Sequence, residues 1–374
     1  MPGLLPDVDP DGLLEYSVVY TDHALNHMSK RFQQVMNDLS GVLKQAYGAH
    51  AVAIVPGSGS FGMEAVARQF AQGQRCLVLR NGWFSFRWSQ ILEMASLPAS
   101  VTVLKARPHG EGVQAAWAPA PLDEVLATIA RERPQVVFAP HVETASGILL
   151  PDAYVKAVGE AVRAVGGLFV LDCIASGALW VDMRAHAVDV LISAPQKGWS
   201  GSPCAAFVLL GERAVQRLDE TTSNSFTADL KKWRQIMAAY ETGGHAYHAT
   251  MPTDALQRCR DMALRTRDAG FETLRTAQRS LGEQVRALLR AKGFPSVAAA
   301  GFESPTVVVS HTTETDIHNG QRFLALGLQT AAGVPLQCDE PAGFRTFRLG
   351  LFGLEKLAHV ERSVKTLETA LEKL

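Results

Sequence analysis

The chain of 374 residues has no apolar run that approaches the ~18 residues a membrane span requires, which excludes a bilayer-spanning helix. Cysteine is scarce. The five present, Cys76, Cys173, Cys204, Cys259 and Cys338, are scattered, odd in number and include no Cys-x-x-Cys pair. That spacing argues against a disulfide framework and for a reducing compartment. An excess of one charge is also lacking: 36 Lys and Arg face 37 Asp and Glu, for a formal net charge of -1. Bulk charge therefore draws the protein to neither nucleic acid nor a membrane surface, and an anionic ligand must be met by local donors. The first residues, Met1-Pro2-Gly3-Leu4-Leu5-Pro6-Asp7, lack the basic segment and apolar core of a secretory signal, so a cytoplasmic location is expected. No internal repeat or low-complexity tract is present.

What is there suits a folded α/β protein. Hydrophobic residues make up 47% of the chain, and its length fits a large domain plus a smaller one. Residues 1–20 carry three prolines and read as an arm. Residues 30–48 place Phe32, Met36, Leu39 and Leu43 at helical spacing. Short apolar runs then alternate with helical stretches: strands are expected at 51–55, 75–79, 101–104, 135–139, 167–171, 188–192 and 205–210, and helices at 61–72, 122–132 and 152–165. Strands rich in Val, Ile and Leu separated by helices predict a mainly parallel sheet covered on both faces. From about Ala255 the pattern changes to a long Arg-rich helical stretch ending near Ala291. Strand-like segments follow at 306–310 and 346–349, then a helix at 355–374. The expected division is an arm (1–20), a large domain (21–255) and a small α+β domain (256–374).

Gly57-Ser58-Gly59-Ser60-Phe61-Gly62 follows a strand and opens a helix with the spacing G-x-G-x-x-G. Glycines let the backbone approach an anion, and a helix N-terminus offers free N–H groups and positive dipole charge. A dinucleotide site would also need an acid about 20 residues on, after the next strand. Arg80 and Asn81 stand there instead, which leaves open an NADP enzyme using Arg80. The hydroxyls of Ser58 and Ser60 suit a lone phosphate monoester, and a plain strand-to-helix turn needs no ligand at all.

The most informative stretch is 171–210. Asp172 ends one strand, and Gln196-Lys197-Gly198 follows the next. Ligands of parallel sheets gather at the carboxyl ends of strands, so both side chains belong to one crevice. A desolvated lysine amine forms carbon–nitrogen double bonds with carbonyl groups and shuttles protons. Asp172 suits a protonated ring nitrogen that makes a cofactor a better electron sink. Taken singly, Asp172 as a helix cap and Lys197 as a solvated loop cation are the plainer explanations; 25 residues apart across one strand–helix–strand unit, they point together to a cofactor.

In this context the chain resembles the class V aminotransferases of the type I fold that bind pyridoxal phosphate (PLP), and within them the alanine/serine–glyoxylate and 2-aminoethylphosphonate transaminases. Ser58-Gly59-Ser60 resembles the family's Ser-Gly-Thr phosphate loop. The run Asn81 to Trp88 is similar to its Asn-Gly-x-aromatic-x-x-Arg element, which implies that Phe84 stacks on the pyridine ring. His141 to Gly147 resembles the His-x-Glu-Thr/Ser-x-x-Gly loop, with Thr144 near the ring oxygen. The resemblance makes Asp172 the partner of the ring nitrogen and Lys197 the cofactor-bearing lysine. Ile174 and Gln196 join the cofactor-binding set, and Ser193 takes a polar position before the lysine. Tyr247 to Pro252 is similar to a Tyr-His-x-Thr-x-Pro segment whose Tyr247 and Thr250 would reach the phosphate of the other subunit, which implies a homodimer. Phe347-Arg348-Leu349-Gly350 resembles an Arg-x-Gly element, with Arg348 gripping the substrate carboxylate. The resemblance thus implies a type I PLP fold with a seven-stranded, mainly parallel sheet, and a transaminase acting on a small amino acid and glyoxylate or pyruvate. The family's usual Gly-Pro segment near the start is not evident, and His27 to Phe32 matches only part of its His-Arg-Ser-Pro-x-Phe.

Other chemistries weigh less. His141-x-Glu143 matches half of a zinc-deaminase motif, but Pro203-Cys204 is followed by Ala205-Ala206-Phe207 instead of a second cysteine. His23 and His27 lack a third ligand, and His245 and His248 are better explained near a phosphate than around a metal. At least two of Trp83, Phe84, Phe86 and Trp88 are expected in the core. A PLP lyase with a mobile catalytic cysteine finds no outstanding cysteine here. A ligand-binding protein without catalysis completes the alternatives.

Overall fold

The computed structural model describes residues 13–374, so residues 1–12 of the expected arm lie outside the described part. The chain begins α1 (Lys30–Tyr47), β1 (Ala51–Pro56), α2 (Gly59–Phe70), β2 (Arg75–Arg80), α3 (Trp83–Met94) and β3 (Ser100–Lys105). A hairpin, β4 (Arg107–His109) and β5 (Ala116–Ala118), precedes α4 (Leu122–Glu132), β6 (Val136–Pro140), α5 (Asp152–Ala164) and β7 (Leu168–Asp172). Next come β8 (Val190–Ser193), β9 (Ala205–Leu210), α6 (Glu212–Glu220), α7 (Leu230–Glu241), α8 (Thr253–Ala269) and α9 (Phe271–Ala291). The chain ends with β10 (Val307–His311), α10 (Thr315–His318), α11 (Gln321–Ala325), β11 (Ala331–Ala332), β12 (Thr346–Gly350), α12 (Leu354–Ala358) and α13 (Val360–Leu371).

The main sheet has seven strands in the order β1-β9-β8-β7-β6-β2-β3, and only β9 runs against the others. Strands β6, β7, β8 and β9 are buried along their whole length, as Val-, Ile- and Leu-rich strands covered on both faces must be. The six co-directional strands end at Pro56, Arg80, Lys105, Pro140, Asp172 and Ser193, so the loops that follow them share one rim. Close packing fixes α2 on this sheet: a Cβ at Gly62 would lie 2.4 Å from the Ala206 Cβ on β9. Neither backbone can yield cheaply, so Gly62→Ala should cost about 1–3 kcal/mol, read as a lower melting temperature.

The expected helix over 255–291 is two helices. Gly270, at φ +88° and ψ +120°, breaks it, and the halves do different jobs: α8 packs on α1, whereas α9 packs on β10, α12 and α13. The C-terminal helix is likewise interrupted, at His359, whose φ -138° and ψ 60° are not helical. Helix α3 carries Trp83, Phe84, Phe86, Trp88, Ile91 and Leu92 without a single apolar stripe, so periodicity does not betray it. The second sheet, β10-β12-β11, is antiparallel and pairs Arg348 with Val309 on one side and Ala331 on the other. Its alternation buries Phe347 and Leu349 and leaves Arg348 partly accessible.

Candidate active site

The rim loops enclose a pocket of about 280 Å³. Of the residues expected from the sequence, Ser58, Gly59, Ser60, Phe84, Thr144, Asp172, Ile174, Gln196 and Lys197 all line it. Arg348 does not, but its guanidinium carbon lies 5.4 Å from the centroid of the Phe84 ring. Tyr247 and Thr250 are not brought to the pocket of their own chain. They hydrogen-bond each other at 3.0 Å on the exposed segment between α7 and α8. His245 and His248 stay on that segment too: the His245 ring packs on His27, and His248 Nε2 lies 2.7 Å from the Phe226 carbonyl.

The anion cradle follows from local backbone geometry. Ser58 is the extended N-cap of α2, and its carbonyl accepts the N–H groups of Phe61 and Gly62 at 2.9 and 3.2 Å. Its hydroxyl makes no cap bond. The N–H groups of Gly59 and Ser60 have no partner among the described residues, and α2 has no acid in its first turn. Three donors thus converge at a positive helix end. Glycine is required on both sides: a Cβ at Gly57, where φ is +120°, would lie 2.7 Å from Phe61 Cγ, and one at Gly59 would lie 2.5 Å from Ile174 Cδ1.

Asp172 closes β7. One carboxylate oxygen accepts the Ile174 N–H at 2.9 Å, and the other has no partner among the described residues. Burial pushes the carboxyl up to about 7; the Glu143 charge adds to this and Arg87 opposes it. Lys197 follows β8, and its amine makes no hydrogen bond or ion pair among the described residues; Nζ lies 5.1 Å from the centroid of the Phe352 ring. Burial, then the positive charges of Arg348 and Arg87, hold the lysine below its ordinary value. The lysine loop is tightly seated. Ser193 Oγ accepts from Tyr47 Oη at 3.1 Å and Trp199 Nε1 at 3.2 Å, and a Cβ at Gly198 would lie 2.1 Å from the Gly177 carbonyl oxygen. That contact presses the lysine loop onto the turn that follows Asp172.

Two residues matter more than the motifs suggest. Arg87 lines the pocket, donates from Nη1 to Ser60 Oγ at 3.0 Å, and holds its guanidinium carbon 4.7 Å from the Phe84 ring centroid. Its signal was the spacing: three residues past Phe84 on α3, it shares that residue's face. Glu143 is fully buried and fastens the start of α3. Its carboxylate accepts the N–H groups of Phe84 (3.1 Å), Ser85 (2.8 Å) and Ala145 (3.0 Å) and the Ser85 hydroxyl (2.6 Å). Glu143→Gln turns an acceptor toward these donors into an amide that cannot satisfy them all. About 3 kcal/mol of stability should be lost, measurable by denaturant unfolding.

Several rival readings lose their frame. In a dinucleotide fold the strands flanking the glycine loop are neighbours, whereas β1 is an edge strand here and four strands separate it from β2. His141 is buried with Nδ1 2.8 Å from Ser176 Oγ, and burial pushes it down to about 4, so it is neutral at pH 7. Among the described residues, no three His, Cys, Asp or Glu side chains cluster as a metal would need. Of the four aromatics, Trp88 is fully buried against Phe138, Phe86 lies under Arg80, Trp83 packs on Phe86, and Phe84 faces the pocket. All five cysteines are free and buried.

The donor set fits PLP. The unpartnered N–H groups and Ser58 hydroxyl suit its phosphate, the free oxygen of Asp172 suits a cationic ring nitrogen, and the amine of Lys197 is uncommitted. Gln196 Oε1 is buried and has no partner among the described residues, so it too can accept from a ligand.

No family profile matches the chain. Several characterised proteins do along most of their length. The small subunit of a soluble hydrogenase from Synechococcus sp. is 26% identical over 361 residues, covering 94% of this chain and 88% of that protein. L-Aspartate–glyoxylate aminotransferase of Paracoccus denitrificans is 27% identical over 309 residues, covering 78% and 75%. 2-Aminoethylphosphonate–pyruvate transaminase 1 of Burkholderia lata is 28% identical over 370 residues, covering 95% and 94%. Among solved structures, an alanine–glyoxylate aminotransferase from Nostoc sp. superposes with a TM-score of 0.80 at 23% identity, covering 93% of this chain and 88% of that one. The chain is a homologue of the alanine/aspartate–glyoxylate and 2-aminoethylphosphonate–pyruvate transaminases, and its α/β fold is that of the class V aminotransferases.

Proposed function

We propose that this protein is a PLP-dependent aminotransferase that moves an amino group from a small amino acid of the alanine or serine type to a 2-oxo acid such as glyoxylate or pyruvate. The observation that carries this reading is the convergence, in one pocket, of an unpaired lysine amine, a buried carboxyl and a helix-end anion cradle. When bound, PLP supplies an aldehyde that condenses with amines and a ring that takes up the electron pair left at the substrate's Cα.

The protein supplies the rest. Ser58, Gly59 and Ser60 would hold the phosphate, and Asp172 would keep a proton on the ring nitrogen. Phe84, Thr144, Ile174 and Gln196, which line the same pocket, would hold the ring. Lys197, its basicity lowered by burial, would take the proton from the substrate's Cα and hand it to the cofactor's carbon, two bonds away across the nitrogen. Arg348 binds the substrate carboxylate through its planar fork. Tyr247 and Thr250 reach the phosphate of a second copy, which makes the enzyme a homodimer. The chain divides into the arm (1–20), the cofactor lobe (21–255) and a smaller lobe (256–374) that brings Arg348, and a cytoplasmic location fits the free cysteines.

A second donor has a specific observation in its favour. Two guanidinium groups, Arg87 and Arg348, lie within 4.7 and 5.4 Å of one aromatic ring. That much positive charge suits the dianionic end of 2-aminoethylphosphonate, with pyruvate as acceptor. The test is a panel of alanine, serine, aspartate and 2-aminoethylphosphonate against glyoxylate and pyruvate. The protein incubated with PLP should turn yellow, borohydride should bleach the band and leave the label on Lys197, and at least one pair should exchange amino groups. A colourless protein inert toward every pair overturns the reading.

A further inference from the structure

Cys204 and Cys259 take no part in the proposed chemistry, yet they are 55 residues apart in sequence with their Sγ atoms 3.5 Å apart. Among the described residues the other three thiols bond no sulfur: Cys76 and Cys338 bond backbone groups, and Cys173 lies by Ser176. Cys204 follows Pro203 at the entrance to β9, and its carbonyl oxygen accepts the Gly57 N–H at 2.9 Å. It therefore joins the segment after Lys197 to the base of the phosphate loop. Cys259 sits on α8, bonds the Ser202 carbonyl at 3.3 Å, and is packed so tightly on Gly201 that a Cβ there would lie 3.1 Å from its sulfur.

We propose that Cys204 and Cys259 are a redox pair that a hydroperoxide oxidises to an intrachain disulfide, pinning the segment between Lys197 and β9 to α8. A disulfide needs sulfurs about 2.05 Å apart, so side-chain rotation must close the remaining gap. Cys204, 8% exposed against 2% for Cys259, meets the oxidant first. When Cys259 turns its single thiol hydrogen from the Ser202 carbonyl to Cys204, that bond lowers the Cys204 thiol's pKa and favours its thiolate. The thiolate attacks the peroxide O–O bond, giving a sulfenic acid and water or an alcohol. The Cys259 thiol then displaces the hydroxyl as a second water, forming the S–S bond. Two thiols are oxidised, one peroxide is reduced, and no further reactant is needed.

This inference is independent of the aminotransferase reading, because the cross-link is read by mass. Reduced protein treated with hydrogen peroxide should lose two hydrogens, and thiols titrated after denaturation should fall from five to three. Peptides containing Cys204 and Cys259 should be joined, and dithiothreitol should part them. Amide exchange at 198–202 should slow several-fold in the oxidised protein and not in peroxide-treated Cys259→Ser. Oxidation of single cysteines without a cross-link, a cross-link elsewhere, or unchanged exchange in cross-linked protein each overturns the proposal.

Discussion

Replacing Lys197 with alanine is expected to lower the rate of amino transfer by about a thousandfold, within the range that a positioned proton-transfer group supplies. The physical basis is a contrast in local charge. Among the described residues Nζ has no ion-pair partner, while burial and two guanidinium groups make its proton easier to lose. A lysine in water at pH 7 is almost wholly protonated and useless as a base; this one is closer to the free amine that the reaction requires. Alanine removes the base but leaves Ser58, Gly59, Ser60 and Asp172 in place, so PLP should still bind through its phosphate. Single-turnover conversion to pyridoxamine phosphate is the measurement, and added methylamine should restore part of the rate. A variant that turns over normally with its phosphate site intact removes Lys197 from the mechanism.

The second large effect is at Asp172, where Asn should move activity and stability in opposite directions. The carboxyl is raised to about 7 in the folded protein, from an ordinary 3.8, chiefly by burial. Below about pH 4 both folded and unfolded chains carry this proton, so Asp172 adds no pH dependence. Between about 4 and 7 the unfolded chain loses the proton while the folded one keeps it, so stability falls as pH rises. Above about 7 the penalty is complete, at up to about 4 kcal/mol. Asp172→Asn removes it, so without PLP the variant should match the wild type near pH 4 and exceed it near pH 8. With PLP the sign reverses, because a neutral amide cannot hold the ring nitrogen protonated. Amino transfer should fall at least about a hundredfold, with weaker cofactor affinity. Unfolding midpoints at the two pH values, with and without PLP, decide the matter, and a PLP-free variant less stable than the wild type at pH 8 contradicts the assignment.

Much of the fold was legible because parallel sheets write their order in sequence. Short Val- and Ile-rich runs ended within one residue of where the strands end, and the rim residues Asp172 and Lys197 followed from that. The features that stayed hidden have identifiable causes. Helix α3 is apolar on several sides, so its period was masked, and with it the shared face of Phe84 and Arg87. Gly270 and His359 split helices whose side-chain spacing continues on both sides of the break. The duty of Glu143 depends on three N–H groups drawn from two separate segments, and no local pattern announces such a contact. Tyr247 and Thr250 bond each other on the exposed segment between α7 and α8, away from the pocket of their own chain.

Arg348 belongs to β12, in the antiparallel sheet, whereas Asp172 and Lys197 end or follow strands of the main one. On the proposed reading, recognition of the acid group and chemistry at the amine are therefore mounted on different frameworks. Substitutions along β10 and β11 can shift the guanidinium by fractions of an ångström and retune which acids are accepted. The machinery that handles the amine would be left untouched, so new specificities can arise without rebuilding the reaction.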